Sequence, residues 1–269
     1  MEFMGQPVVI DNRSGASGFV AAEIVAKAPA DGYTVLTGTE ATLVTNPLLF
    51  PKAPYNTQRD FAPITMTAAI SHVLLVHSSL AVTSVQELIV VAKARPGQLN
   101  YASSGTGSAF HLGMELFNRM AGVDIVHVPF KGSALSIGAM LAGDVQMMLI
   151  GTTTGLPLAR SGKARALAMA SGKRSPLAPE LPTIAEAGVP GYEISSWFGA
   201  VVPAGTPAPV IGKLHADFVR ALHSADLRER LAPGGYEVIA NTPQQFSGHM
   251  QAQTKKLMRL IRDSGIKPE

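Results

Sequence analysis

No cysteine occurs among the 269 residues, so disulfides, thiolate metal sites and cysteine nucleophiles are excluded together. The absence suits an oxidising compartment without requiring one. Charge is scarce too. Only 15% of residues are charged against 46% hydrophobic, the balance of a compact globular chain and not of a disordered one. The net charge of +3 comes from scattered lysines and arginines, which favours anionic ligands weakly and offers no track for nucleic acid. One basic cluster, Lys255-Lys256 with Arg259 and Arg262, falls on the polar side of a C-terminal helix and reads as a solvated face. No apolar run approaches the roughly 20 residues of a membrane span. The opening MEFMGQPVVI has neither the charged nor the apolar region of a secretory signal, which leaves a cytosolic protein or one whose leader is not in this chain.

Catalytic signatures are also missing. Walker A needs Gly-x4-Gly-Lys, yet Gly162-Lys163, Gly172-Lys173 and Gly212-Lys213 have Pro157, Leu167 and Pro207 where the first glycine belongs. There is no Gly-x-Ser-x-Gly elbow and no His-Glu-x-x-His. The histidines are dispersed, His72 and His77 being nearest in sequence, so no metal-ligand spacing emerges and no cofactor is implied. Ser108 and His111, three apart on one helix, make the best serine-nucleophile case. They lack an acidic orienter and a nucleophile turn. Gly105-x-Gly107-x-x-Phe110 grazes the dinucleotide fingerprint without its third glycine.

What the chain has instead is glycine beside hydroxyls. In NYASSGTGSAFHLGMELFNRMAG, Asn100 to Gly122, a short extended segment runs into a Gly/Ser/Thr loop and then into an amphipathic helix. The first helical turn has four N–H groups without intrahelical partners and a partial positive charge, so it holds a carboxylate or phosphate with no charged side chain. Gly105 and Gly107 let a ligand approach the backbone, while Ser103, Ser104, Thr106 and Ser108 offer hydroxyls. The same grammar recurs at Asp11 to Gly18, Phe130 to Ala134 and Gly151 to Gly155. A single such loop is as readily a plain strand-to-helix turn; four in one chain point to binding. Lys131 reads equally as a carboxylate partner or a solvated lysine. His127 and Trp197, on apolar strands, read first as core or cavity-edge residues.

Strands are expected at Val8 to Ile10, Thr34 to Thr37, Val73 to Val76, Ile125 to Val128, Met147 to Ile150, Ala166 to Met169, Phe198 to Val202 and Tyr236 to Ile239, mostly as continuous apolar runs. Helices separate them, with stripes such as Phe110, Met114, Phe117 and Ile211, Leu214, Phe218, Leu222. Ser84-x-x-Glu87, Thr183-x-x-Glu186 and Thr242-x-x-Gln245 read as capping boxes. The alternation predicts α/β layers with mostly parallel sheets. Crossings between two lobes are expected around Leu99 to Ala102 and Ser195 to Pro203, giving a first lobe of residues 5–99 with 200–269 and a second of 100–199. The cleft between them is the natural ligand site.

Taken together, GQPVVIDNRSGASG, AKAPADGYTVL, RDFAPIT, LNYASSGTGSAFHLGMELF, VHVPFKGSALSIGAMLAGDVQ, SGKARALAMASGKRSP and LPTIAEAGVPGYEISSWFGAVVPAGTP resemble the Bug receptors, the extracytoplasmic solute receptors of tripartite tricarboxylate transporters. The resemblance covers nearly all of residues 5–269. It implies a type II periplasmic-binding-protein fold, two α/β lobes closing on a small carboxylate such as a dicarboxylate, amino acid or aromatic acid. It further implies a periplasmic location, membrane permease subunits as partners, and neither catalysis nor nucleic acid. By position, Gly15, Ala16 and Thr39 would line the site from the first lobe. From the second would come Ser104, Gly105, Thr106, Gly107, Ser108, Phe130, Lys131, Gly132 and Thr152. A hydrolase or transferase using Ser108 and His111 is the alternative; the effector-sensing half of a transcription regulator is disfavoured by the lack of a helix-turn-helix segment. Two departures carry expectations. Gln146 stands where the family commonly has aspartate, which would remove an acidic group near the cleft. The family's opening strand, Gly-Gly loop and helix have no counterpart ahead of Gly5, which would weaken binding and favour strand exchange between chains.

Overall fold

The computed structural model describes residues 5–13 and 18–266. The chain divides into two compact units, Met1–Ala69 with Trp197–Arg259 and Ile70–Ser196 with Leu260–Glu269. The first crossing therefore lies at Ala69–Ile70 and not around Leu99 to Ala102. Its cause is one 16-residue strand, β2 (Phe61–Val76), which carries the chain from one unit into the other. The return passes through β7 (Ser195–Pro203).

In the first unit, α1 (Phe19–Ala26) precedes β1 (Leu36–Thr39), which pairs antiparallel with β7, Leu36 opposite Val201 and Thr39 opposite Phe198. A π-helical turn, Ala41–Thr45, follows and leads into α2 (Asn46–Leu49) and α3 (Thr57–Asp60). Its core joins Ile64, Ala200 and Val202 to Val35, Ala62 and the Ile211, Leu214, Phe218 stripe of α8 (Ala208–Leu222). α9 (Ala225–Leu231) and β8 (Tyr236–Val238) follow. Trp197, 1% exposed, packs edge-on against Phe246 of α10 (Pro243–Ser264) at 5.5 Å, so the tryptophan is core.

The second unit is built on a mixed sheet. β4 (Val126–Pro129), β3 (Asn100–Ser103) and β5 (Met147–Gly151) run parallel, with Ser103 opposite Pro129 and Ala102 opposite Met148. β2 joins β5 antiparallel, His72 opposite Gly151 and Val76 opposite Met147, and also pairs antiparallel with β6 (Arg165–Met169). The expectation of mostly parallel sheets is corrected here. A parallel neighbour requires a crossover connection, and β2 arrives directly from the other unit. Between the strands lie α4 (Val85–Ala94), α5 (Ala109–Ala121), α6 (Ser133–Ala142) and α7 (Thr152–Arg160). Val73, Leu75, Ala102, Met140, Met148, Ile150 and Leu156 form one core that sheet and helices share.

Local sequence accounts for the boundaries. Thr242 and Gln245 make the reciprocal capping bonds at 2.9 and 3.2 Å. Thr183 and Glu186 make them too, at 2.9 and 3.0 Å, but close a turn and not a helix. α5 ends on Gly122 at φ 63°, a left-handed cap that suits glycine. Val8 to Ile10 do not form the expected strand and stand exposed, Val9 at 86%. Apolar β-branched residues alone do not make a strand; the backbone needs a neighbour to bond.

Candidate ligand site

In the second unit the parallel strands end together, and a helix starts from each end. β3 leads through the Ser104–Ser108 loop into α5, β4 through Phe130–Gly132 into α6, and β5 directly into α7. The sheet therefore gathers three helix N-termini along its carboxyl edge, where ligands of α/β sheets bind. The loops also touch one another. The Phe130 N–H donates to the Ser103 carbonyl at 3.1 Å, and a Cβ on Gly105 would lie 3.5 Å from the Phe130 carbonyl oxygen.

The Gly/Ser loop is braced from within. Ser103, fully buried, accepts from the Gly105 N–H at 3.1 Å and meets His127 Nε2 at 2.6 Å. The Gly107 N–H donates to His111 Nδ1 at 2.9 Å. His111 and His127 stack at 3.8 Å, nearly parallel at 8°, with Tyr101 stacked on His127 at 5.0 Å. Burial, and secondarily His127, pushes the His111 pKa down to about 3, so the ring stays neutral. Gly105 and Gly107 adopt φ of 131° and 79°, values that L side chains rarely reach.

This wiring changes the role of the glycines. Their own N–H groups are engaged by Ser103 and His111, so they shape the loop. The amides that helix geometry leaves for a ligand belong to Ala109 and Phe110 in the first turn of α5. Ser104 and Thr106 are half-buried on the loop. Ser108 caps α5 by accepting from the His111 N–H at 3.3 Å. Removing that cap in Ser108→Ala is expected to cost about 1 kcal/mol, read as a lower urea midpoint at unchanged slope; an unmoved midpoint would refute the cap's contribution.

α6 and α7 begin without side-chain caps, on Gly132 at φ 107° and on Gly151. Their first amides, at Ser133, Ala134, Thr152 and Thr153, lack intrahelical acceptors by geometry. Thr152 is 1% exposed and its Oγ1 is buried without a hydrogen-bond partner. Lys131 is exposed. The ring of Phe130 packs against the core of the unit.

Thr39 lies in the first unit, where its Oγ1 contacts Thr42 Oγ1 at 3.1 Å and accepts from the Thr42 N–H at 3.2 Å. Gly18, which ends the Asp11 to Gly18 loop, sits so close that a Cβ there would lie 2.7 Å from Thr42 Oγ1. Two sequence-distant parts of the expected site thus meet at Thr42. Gly15 and Ala16 fall outside the described residues.

Two expectations are overturned. The Ser108–His111 nucleophile fails on geometry, because Nδ1 already accepts from Gly107 and the neutral tautomer then carries its proton on Nε2. No ring lone pair remains to take the serine proton. Gln146 does not stand near these loops. Its Oε1 accepts from the Asn100 N–H at 2.8 Å, at the amino ends of β3 and β5, opposite the edge where the helices begin. Sequence reasoning also passed over His72, which the register sets opposite Gly151. Its one signal was a polar residue inside the apolar run ISHVLLV.

Among the described residues no helix is long and apolar enough to cross a membrane, and no group of His, Asp and Glu is arranged to hold a metal ion.

The architecture is that of periplasmic solute-binding proteins. It matches "R. palustris Rpa4515 with adipate" at 41% identity and a TM-score of 0.84, over 100% of this chain and 90% of that one. It also matches "MatC (Rpa3494) from Rhodopseudomonas palustris with bound malate" at 32% identity and a TM-score of 0.78, over 97% and 90%. Protein BugT of Bordetella pertussis is 36% identical over 265 residues, which is 98% of this chain and 81% of BugT. The family model "Tripartite tricarboxylate transporter family receptor" matches residues 1–266. The chain belongs to that family, and it is a receptor, not an enzyme.

Proposed function

We propose that this chain is a periplasmic receptor that captures a small carboxylate and presents it to the membrane permease subunits of a tripartite transporter. One observation carries the reading: α5, α6 and α7 start side by side at one sheet edge, two of them uncapped, with the buried Thr152 hydroxyl unpartnered among them. Orphan amides and the positive ends of helix dipoles hold an anion there without a cationic side chain. Two of the similar proteins are known with adipate and with bound malate, both dicarboxylates, which supports an acid as the ligand. Ser104, Gly105, Thr106, Gly107, Ser108, Phe130, Lys131, Gly132 and Thr152 form the proposed contact set in the second unit. Gly15, Ala16 and Thr39 join it from the first unit on family resemblance.

Calorimetric titration with adipate and malate tests the proposal. The parent chain is expected to bind at least one of them and to melt higher in its presence. Ser104→Leu is expected to weaken that binding about 30-fold, roughly 2 kcal/mol, with an unchanged melting temperature, because the Ser104 side chain is half-exposed on the loop. Retained affinity in a folded Ser104→Leu would reject this loop as the site. Failure of the parent chain to bind any small carboxylate would reject the function.

A further inference from the structure

His72 is a buried polar residue that the contact set leaves out. The β2–β5 register places it opposite Gly151, the residue before Thr152. It is 1% exposed. Its Nε2 lies 3.0 Å from Ser196 Oγ, and its ring meets Phe110 nearly edge-on at 5.0 Å and 73°. Phe110 is the second residue of α5, so the imidazole reaches the first turn of one site helix from the strand beside the start of another. Its Nδ1 is buried without a hydrogen-bond partner, as is Thr152 Oγ1. Buried polar atoms are nearly always satisfied. Two unsatisfied ones on residues brought together by one register, at an edge where helices begin, mark a position that a bound molecule completes.

We propose that His72 is a specificity-determining residue: its Nδ1, together with Thr152 Oγ1, takes a second oxygen function of the bound acid, so that the receptor prefers acids carrying a further carboxylate, hydroxyl or keto group over plain monocarboxylates. This rests on the carboxylate-receptor reading and assigns that site its selectivity. The chemistry of the pair fits the task. Burial pushes the His72 pKa down to about 4, so the ring is neutral at ordinary pH. A neutral imidazole presents one donor and one acceptor. The Ser196 hydroxyl can donate to Nε2 or accept from it, so Nδ1 is free to donate to a carboxylate or keto oxygen, or to accept from a hydroxyl. Thr152 Oγ1 has the same freedom. A site of this kind rejects a molecule lacking the oxygen, because its own polar atoms are then left buried and unpaired.

The experiment titrates butyrate, succinate and malate into the parent chain, His72→Phe and His72→Gln. Phenylalanine keeps a ring against Phe110 but cannot hydrogen-bond, whereas glutamine keeps both a donor and an acceptor. The parent chain is expected to bind succinate or malate more tightly than butyrate. His72→Phe should shrink that preference at least tenfold, chiefly by weakening the oxygen-rich acids, and His72→Gln should restore part of it. In the parent chain, the imidazole Nδ1 nitrogen resonance of His72 should shift when the preferred acid saturates the site. A folded His72→Phe with the parental succinate-to-butyrate ratio overturns the proposal. If His72→Phe does not fold, an unmoved Nδ1 resonance in the saturated parent chain overturns it just as well. Should the parent chain bind butyrate as tightly as the other two, the selectivity is refuted while the receptor reading stands. Should it bind none of the three, this inference fails, and the receptor reading fails with it only if adipate is not bound either.

Discussion

Gly199→Ala is expected to destabilise the first unit by about 3 kcal/mol, the upper end of ordinary overpacking costs. A Cβ at Gly199 would lie 2.1 Å from Phe246 Cζ, 2.7 Å from Cε1 and 3.0 Å from Cε2, distances that no real methyl tolerates. Phe246 has no surface exposure and is wedged against Trp197 at 5.5 Å, so its ring cannot swing away. Nor can the strand yield easily, since Gly199 sits opposite Gly38 in the β1–β7 ladder. At roughly 2 to 4 °C per kcal/mol for a domain of this size, the melting temperature should fall by about 6 to 12 °C. The cause is separable from a generic loss at a strand glycine. Phe246→Leu makes room, so the double variant should lose clearly less than the sum of the two single losses. Strict additivity, or a Gly199→Ala chain that melts like the parent, would show that the contact yields at little cost.

Glu40→Gln should do the reverse, and only above mildly acid pH. Glu40 is 7% exposed and its Oε1 accepts from the Thr45 hydroxyl at 2.5 Å. Burial outweighs that bond and raises its pKa from 4.5 to about 7. The folded carboxyl keeps its proton up to about 7, whereas the unfolded one releases it near 4.5. Between those values the folded state holds more protons, so stability falls as pH rises through the window and stays lower above it. The full difference corresponds to about 3 kcal/mol. Glutamine keeps an acceptor for Thr45 and has no charge to desolvate. The variant should therefore match the parent at pH 4.5, pull ahead through the window and hold its lead at pH 8. Melting curves from pH 4.5 to 8 decide it; a gap that does not widen with pH would contradict the burial argument.

Much of this architecture was legible in the sequence, though unevenly. Met147 to Ile150 and Phe198 to Val202 read as strands because each is a continuous apolar run that the sheet covers on both faces. The first half of β2 did not, since Pro63, Thr65 and Thr67 break its pattern and its partners come from far along the chain. Val8 to Ile10 misled for the opposite reason, being strand-like in composition without strand pairing. At the candidate site, glycine beside serine announced the strand-to-helix loops. Which amides stay available was not readable, because that depends on His111 and His127 meeting beneath the loop. His72 was hidden more deeply. Its importance lies in Gly151, Ser196 and Phe110, and no spacing in the sequence links the four.

The stacked imidazoles have a consequence for how the proposed receptor would take up solute. A glycine loop left to itself would sample many shapes and lose that freedom on each capture, weakening every encounter. Here the shape is fixed in advance by two stacked imidazoles and a buried serine. In the proposed receptor, discrimination between acids is then left mainly to how soon each one departs.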